Sequence, residues 1–350
     1  MRKSNLELLR IVSMMMVIGL HYFNSQMGGA IGQQSPGEIN YYITYFLEGL
    51  FHTGVNCYIL ITGYFMLNKK SVSFDKVVNL LIMIIFYGAL HYSVALLAGW
   101  QTFSIVGLVK GALPILAGLK WFIVMYIILY LLIPYINMAL NSMSKKGIQT
   151  FLLIMLFFFS LWPSMLPGAP NVDNGYGIIN FVVLYSIGYY LRKHYVAGKS
   201  KLFYLSIFML CGVVTFVAKL ITERFSIPFI TVWAYDFLPI IIGSVSLFIF
   251  FSKLDIQSKL INYLSQFTLA VYFFHVDQST QIGLYRGVFK TDDFWHSPYF
   301  ILHMIATVIS LYIAGTIIGI VQKWLFGKVG ELIGSIFKKH IPILWSEIGN

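Results

Sequence analysis

Apolar positions run along this chain in blocks of about 20 residues, the length a helix needs to cross a hydrocarbon core of about 30 Å. Ten such blocks are present, over roughly 6–26, 42–66, 77–99, 119–138, 148–166, 177–191, 202–221, 235–251, 260–280 and 299–323. Short polar turns separate them. The stretch 104–117 is apolar but too short, and it contains Gly107, Gly111 and Pro114. It is expected to be an interfacial or re-entrant piece of the third loop. No Gly/Ser-rich linker and no repeat of 20–50 residues divides the chain. The pattern predicts an all-α membrane protein, a polytopic bundle of about ten transmembrane helices forming one domain over 1–350. The first block carries Glu7 and Arg10 and has no convincing small-residue cleavage site, so it is expected to be a span and not a cleaved signal.

Composition sharpens this reading. The chain is 58% hydrophobic and 11% charged, with a mean hydropathy of +0.78, too few charges to coat a soluble body of this size. Cys57 and Cys211 both lie in apolar runs and say little about redox compartment. The net charge of +11 is unevenly placed. With the N-terminus inside, 17 of the 24 Lys and Arg fall in cytoplasmic segments, Arg2, Lys3, Arg192, Lys193, Lys338 and Lys339 among them. Five fall outside: Lys110, Lys120, Arg224, Arg286 and Lys290. This bias in short loops predicts a multi-pass protein of the cell membrane with both termini cytoplasmic. It assigns the positive excess to anionic lipid, so membrane lipid is an expected partner and nucleic acid is not.

Ionisable groups are costly inside a bilayer, and each is a candidate for function. The first block holds Glu7, Arg10 and His21. Arg10 and His21 are 11 residues apart, three turns plus about 20°, so they share one helix face about 16 Å apart. Glu7 lies one turn before Arg10, within reach of a local ion pair. His52, His91 and His275 fall at comparable depth in three other blocks; Glu48 lies one turn from His52, and Asp277 follows His275. These four histidines come from four helices with no H-x-x-x-H or H-E-x-x-H pair, and the spacing supports no metal site. Neither a phosphate-binding G-x-x-x-x-G-K-[ST] loop nor a G-x-S-x-G elbow occurs. The turn Lys69-Lys70-Ser71-Val72-Ser73-Phe74-Asp75-Lys76 is basic and cytoplasmic in this topology. Positive-inside topology accounts for it, and so does a landing site for a phosphorylated donor.

Four segments, in order, resemble the integral-membrane acyltransferase 3 family. The opening Asn5-Leu-Glu-Leu-Leu-Arg10, with His21 after ten more residues, resembles the family's first-helix R-x10-H pattern. Gly54 to Tyr64 is similar to its glycine-to-SGY segment, with Thr62 in the serine position. Lys120-Trp121-Phe122 through Tyr126, Tyr130, Pro134 and Asn137 resembles the W-F-x-x-x-Y…L-Y-L-x-x-P…N helix. Ser265 to His275 resembles the late S-x-x-T-x-x-x-Y-x-x-H helix. Many members carry R-x-x-x-R near the start of the third helix. This chain has Lys76-Val-Val-Asn79-Leu there, so Lys76 stands for one arginine and the second is absent. The chain is expected to be a stand-alone form without the extracytoplasmic esterase-like domain fused to some members.

The resemblance implies transfer of an acyl group, acetyl above others, from acyl-CoA to a hydroxyl of a cell-envelope glycan or lipid-linked sugar. It makes His21, Arg10 and Glu7 the candidate catalytic set. Arg10, Lys76, Lys69 and Lys70 are the candidates for binding acyl-CoA, which needs basic partners for its phosphates. Glu48, His52, His91, Trp121, Tyr126 and His275 are candidate acceptor-side or supporting residues. No tightly bound cofactor and no metal are expected, and acyl-CoA is a substrate. A neutral His21 can take the proton from a sugar hydroxyl as it attacks the thioester. The alternative is a proton-coupled transporter or flippase for a polar or lipid-linked glycan, with buried His and Glu as coupling groups.

Overall fold

The structure is a computed structural model, and it describes residues 3–112, 121–169, 173–196, 198–227, 230–329 and 332–333. Among the described residues it is helical, with no strand. In chain order the helices are α1 (Ser4–Phe23), α2 (Ile39–Phe51), α3 (Thr53–Met66), α4 (Phe74–Leu97), α5 (Ile105–Ala112), α6 (Trp121–Ser142) and α7 (Lys145–Leu156). They continue as α8 (Trp162–Met165), α9 (Ile178–Lys193), α10 (Lys201–Arg224), α11 (Leu238–Ser252), α12 (Lys259–Leu264), α13 (Thr268–His275) and α14 (Phe300–Phe326). A π turn, Phe157–Leu161, joins α7 to α8.

Among the described residues, six stretches are long and apolar enough to cross a membrane: Ser4–Phe23, Asp75–Leu97, Trp121–Ser142, Lys145–Met165, Lys201–Arg224 and Phe300–Phe326. Their outer faces are those of a protein bathed in lipid. On α14, Ile305, Ile309, Ile313 and Ile317 recur every fourth residue, each 44–55% exposed. A stripe of this length cannot face water in a stable monomer, and the chain is a multi-pass membrane protein.

Two of the predicted blocks are not single helices. The block 42–66 divides at His52 into α2 and α3. Side chains there bond to the preceding turn: His52 Nδ1 to the Glu48 carbonyl at 2.8 Å and Thr53 Oγ1 to the Leu50 carbonyl at 2.6 Å. Such bonds compete with the helical ladder. The block 260–280 divides into α12, a 3₁₀ turn at Ser265–Phe267, and α13, which stops at His275. The Asp277 carboxylate then accepts the Ser279 N–H at 3.0 Å and starts a turn. The blocks 177–191 and 235–251 appear as α9 and α11, of 16 and 15 residues. The expected interfacial piece forms α5, whose start is pinned by the Tyr92 hydroxyl to the Ser104 backbone at both N–H and C=O. Arg2, residues 113–117 with Pro114, Lys120, Lys338 and Lys339 lie outside the described residues.

The chain divides into two compact units. The first comprises 1–20, 41–70 and 128–265. Here α3 and α9 touch through glycines: a Cβ at Gly63 would overlap the Tyr185 carbonyl, and one at Gly188 the Leu60 carbonyl. Small residues let backbones approach where lipid supplies no hydrophobic drive. Asn137 of α6 donates to the Met66 and Lys69 carbonyls at 2.8 and 2.9 Å, satisfying the open C-terminal end of α3, and its Oδ1 accepts the Tyr185 hydroxyl at 2.7 Å. The start of α1 is held likewise, by Asn5 donating to the Ser252 and Leu254 carbonyls at 3.1 Å.

The second unit comprises 21–40, 71–127 and 266–350. Gly315 and Gly319 of α14 admit α13; a Cβ at Gly315 would stand 2.8 Å from Val271 Cα. The loop after α1 is fastened through its carbonyls. Arg286 donates to Met27 and Ser25 at 2.9 and 2.6 Å, and Thr291 and Trp295 donate to Gly28 at 2.8 and 2.9 Å.

The glycine contacts generate a prediction. Gly63→Val places two methyl groups against the Tyr185 carbonyl, and overpacking of this kind costs about 1–3 kcal/mol. The variant is expected to lose thermal stability in detergent, with Gly63→Ala intermediate. Unchanged melting of both would mean that α3 and α9 tolerate separation.

Candidate active site

Local sequence makes α13 short, and its shortness places His275 at a helix end. There His275 Nδ1 lies 2.6 Å from the Val271 carbonyl, one turn back. A carbonyl oxygen can only accept, so Nδ1 carries the proton and Nε2 of the neutral ring is an acceptor. His275 Nε2 lies 3.0 Å from His21 Nδ1, and the two rings are 5.0 Å apart between centroids. His21 must then donate through Nδ1–H. Its own Nε2 is left with a free lone pair, and among the described residues nothing bonds to it. His275 is fully buried, whereas His21 is only partly so. His275 is thus the more deeply buried of the pair, and the open base nitrogen belongs to His21.

His91 acts on the same helix end. Its Nε2 donates to the Phe273 carbonyl at 3.1 Å, and its Nδ1 accepts from the Thr280 hydroxyl at 2.7 Å. The Asp277 turn carries Thr280 to this position, with the Thr280 N–H on the Asp277 carbonyl at 3.1 Å. Tyr87 stacks on Phe273 at 5.6 Å. His91 therefore positions the last turn of α13, two residues from His275. Trp121 and Tyr126 reach this group through other rings. Phe122 lies 5.8 Å from Trp121, 6.2 Å from Tyr126 and 5.9 Å from Tyr272, and Tyr272 meets His275 edge-on at 6.2 Å.

Just beyond His21, Gly28 N–H donates to the His21 carbonyl at 3.0 Å, and Tyr22 and His303 share a 2.8 Å hydrogen bond. His303 stacks on Phe294 at 3.7 Å. In the loops of this unit His296 lies 2.6 Å from Glu38, and its hydrogen bond holds the Glu38 carboxyl below the usual range.

The remaining predicted residues belong largely to the first unit. Arg10 Nη1 stands 3.5 Å from Glu7 Oε2, the expected ion pair, and the Tyr58 hydroxyl donates to the Arg10 carbonyl at 2.6 Å. The Arg10 side chain is 33% exposed. Because α1 is one unbroken helix, Arg10 and His21 keep the separation of about 16 Å that 11 residues of rise dictate. His52 and Glu48 approach to 4.0 Å, and His52 lies among the rings of Trp233 and Tyr235 at 6.5 and 5.2 Å. Lys69 and Lys70 follow α3 in the first unit, and Lys76 occupies the first turn of α4 in the second. Among the described residues no three His, Cys, Asp or Glu converge as a metal would need.

The candidate site residues read from the sequence do not include Tyr272, Thr280 or His303, although Tyr272 is the tyrosine of the late S-x-x-T-x-x-x-Y-x-x-H motif. Tyr272 had a signal, since it lies three residues before His275 on the same helix face. Thr280 and His303 had none, because their partners come from distant helices.

The hydrogen-bond chain predicts a spectroscopic outcome. In selectively ¹⁵N-labelled protein His21 is expected to show the Nδ1–H tautomer. In His275→Ala that proton loses its acceptor and should redistribute toward Nε2. An Nδ1–H tautomer persisting unchanged in the variant would separate His21 from His275.

No curated protein and no solved structure matches the chain significantly. A family model described as an acyltransferase domain matches residues 3–328, which take in both units, α1 with its Arg10 and His21, and α13 with His275. The chain is a membrane acyltransferase belonging to the acyltransferase 3 family.

Proposed function

We propose that the protein transfers an acyl group, acetyl by the family resemblance, from cytoplasmic acyl-CoA to a hydroxyl of a cell-envelope glycan or lipid-linked sugar. The topology that goes with this has about ten spans and both termini in the cytoplasm of a cell-membrane protein. α9, α11 and the paired segments α2–α3 and α12–α13 then complete the six long helices.

The observation that carries the reading is the open Nε2 of His21, oriented by a donor–acceptor chain ending on the Val271 carbonyl. In the proposed reaction this nitrogen takes the proton of the acceptor hydroxyl as its oxygen attacks the thioester carbonyl. A C–O bond forms and the C–S bond breaks. The imidazolium returns the proton to the departing thiolate, giving the ester and free CoA. His275 accepts the Nδ1–H throughout and so favours the positive charge that forms on His21. His91 acts one step further away, as a positioning residue. Arg10, held by Glu7, supplies cationic charge for the donor about 16 Å along the helix, a span that a pantetheine arm covers. In the proposed topology Lys69, Lys70 and Lys76 add cytoplasmic basic charge.

His21→Ala is expected to cut transfer by about 10²–10⁴-fold while the protein still accumulates in the membrane. Mass spectrometry of surface glycans checks the outcome: loss of one acyl mass per repeat supports transfer, whereas loss of the whole glycan points to export. Arg10→Ala should raise the apparent KM for acyl-CoA more than that for the acceptor. Arg10→Lys should restore it only in part, because a point charge replaces a planar fork of donors. Donor titration in membranes decides this, and an unaltered donor KM in both variants would return Arg10 to a topological role.

A further inference from the structure

Lys3, Tyr64 and Arg192 come from three separate segments of the first unit, yet they meet at one atom. Lys3 Nζ and Arg192 Nη1 each donate to the Tyr64 hydroxyl oxygen at 3.2 Å. Both cations also lie over the Tyr64 ring, at 5.2 and 5.0 Å from its centre. The fold imposes the meeting. Gly63 and Gly188 lock α3 against α9, and Tyr64 and Arg192 follow them by one and four residues. Asn5 ties the start of α1, next to Lys3, to the end of α11.

Positive-inside topology needs basic residues on this side but not at one point. Scattered lysines serve it equally, and Lys145 and Lys146 begin α7 with no such convergence. Here two like charges are held no more than about 6.4 Å apart, twice the hydrogen-bond length, and no carboxylate among the described residues pairs with either. The position of Arg192 in the last turn of α9 explains its charge, since cations suit a helix C-terminus, but not its aim at a phenol shared with Lys3.

The donor inventory identifies the missing partner. With both lone pairs of the Tyr64 oxygen facing cations, its O–H points away as a polarised donor. Lys3 retains two N–H groups and Arg192 four. The cluster offers donors only, carries two positive charges and contains no acceptor, which is the complement of a phosphate. We propose that Lys3, Tyr64 and Arg192 form a phosphate-binding site that seats a phosphate of the acyl-CoA donor. This rests on the reading of acyl-CoA as substrate. It moves donor recognition from the basic turn Lys69–Lys76 to a built cluster, and it answers the absent second arginine at Lys76-Val-Val-Asn79-Leu. An anionic lipid headgroup offers the same phosphate chemistry, so the test separates the two sources.

Binding of CoA and of 3′-dephospho-CoA is measured calorimetrically on purified full-length protein in nanodiscs of zwitterionic lipid. Phosphatidylglycerol nanodiscs form a second arm. Arg192→Gln and Lys3→Gln are each expected to weaken CoA binding about tenfold to a hundredfold, the loss of one charge-assisted hydrogen bond. Tyr64→Phe should have a smaller effect in the same direction, and Arg192→Lys should recover part of the affinity. Lys146→Gln, which removes an inner charge outside the cluster, should bind as the parent does. Thermal melting accompanies each variant, and the partial recovery in Arg192→Lys distinguishes lost recognition from lost folding. A loss confined to CoA identifies the 3′-phosphate as the seated group, and an equal loss with both ligands identifies the pyrophosphate. Parent-like CoA affinity in Arg192→Gln and Lys3→Gln overturns this site while leaving the donor assignment standing. Absence of CoA binding by the parent protein overturns the donor assignment itself. CoA binding by the parent that disappears in phosphatidylglycerol, with the variants insensitive to that lipid, shows competition for this cluster and supports it. Variants that differ from the parent only in retention of phosphatidylglycerol assign the cluster to lipid and overturn it.

Discussion

A single proton on His21 Nδ1 organises the candidate active site. Its place follows from the Val271 carbonyl, which can only accept and so commits His275 to a proton on Nδ1. His275 Nε2 then accepts from His21, and the lone pair at His21 Nε2 stands open. Both nitrogens of the buried His275 are satisfied, which fixes its ring, and His21 Nε2 is the one nitrogen of the pair left open. A carboxylate in the place of His275 would bind the imidazolium more strongly, but it would bring an uncompensated charge into a fully buried position. A neutral histidine backed by a carbonyl gives orientation without that charge.

The rest of the molecule keeps these groups in place by backbone proximity. Glycines at 63, 188, 315 and 319 mark close helix approaches in both units. Between these contacts, side chains close the helix ends that would otherwise leave carbonyls bare: Asn137 for α3 and Asn5 for α11. Several family motif positions thereby gain a structural meaning. Asn5, Gly63 and Asn137 hold helices together, and Thr62 bonds back to the Tyr58 carbonyl at 2.8 Å while Tyr58 holds Arg10's own carbonyl. In the same motifs, Arg10, His21 and His275 keep chemistry to offer.

Helix breaks serve the site as much as helices do. A continuous helix over 260–280 would carry residues 276–280 onward along its axis. The end at His275 and the Asp277 turn instead bring Thr280 to His91, and His91 to the carbonyl of Phe273. The division at His52 works in the same way, since the imidazole takes the Glu48 carbonyl out of a purely helical role. At both breaks polar side chains bond nearby backbone in competition with the helical ladder.

What was legible in the sequence depends on local period and composition. Helix length, apolar blocks and the Lys/Arg asymmetry follow from residues near one another in the chain, and so does the shared face of Arg10 and His21 on one helix. Most predicted blocks accordingly appear as helices within a few residues of their expected ends. The blocks at 42–66 and 260–280 divide because hydrophobic averaging overlooks single side chain–backbone bonds. The tautomer of His21 depends on a ring 254 residues away, and the cation cluster on Tyr64 joins positions 61 and 128 residues apart. No periodicity carries such information. The sequence by itself determined that the chain is a helical membrane protein and which polar groups are costly enough to matter; the tertiary structure alone decided which of them face one another, because hydrogen-bond direction and charge pairing depend on distances that only packing sets.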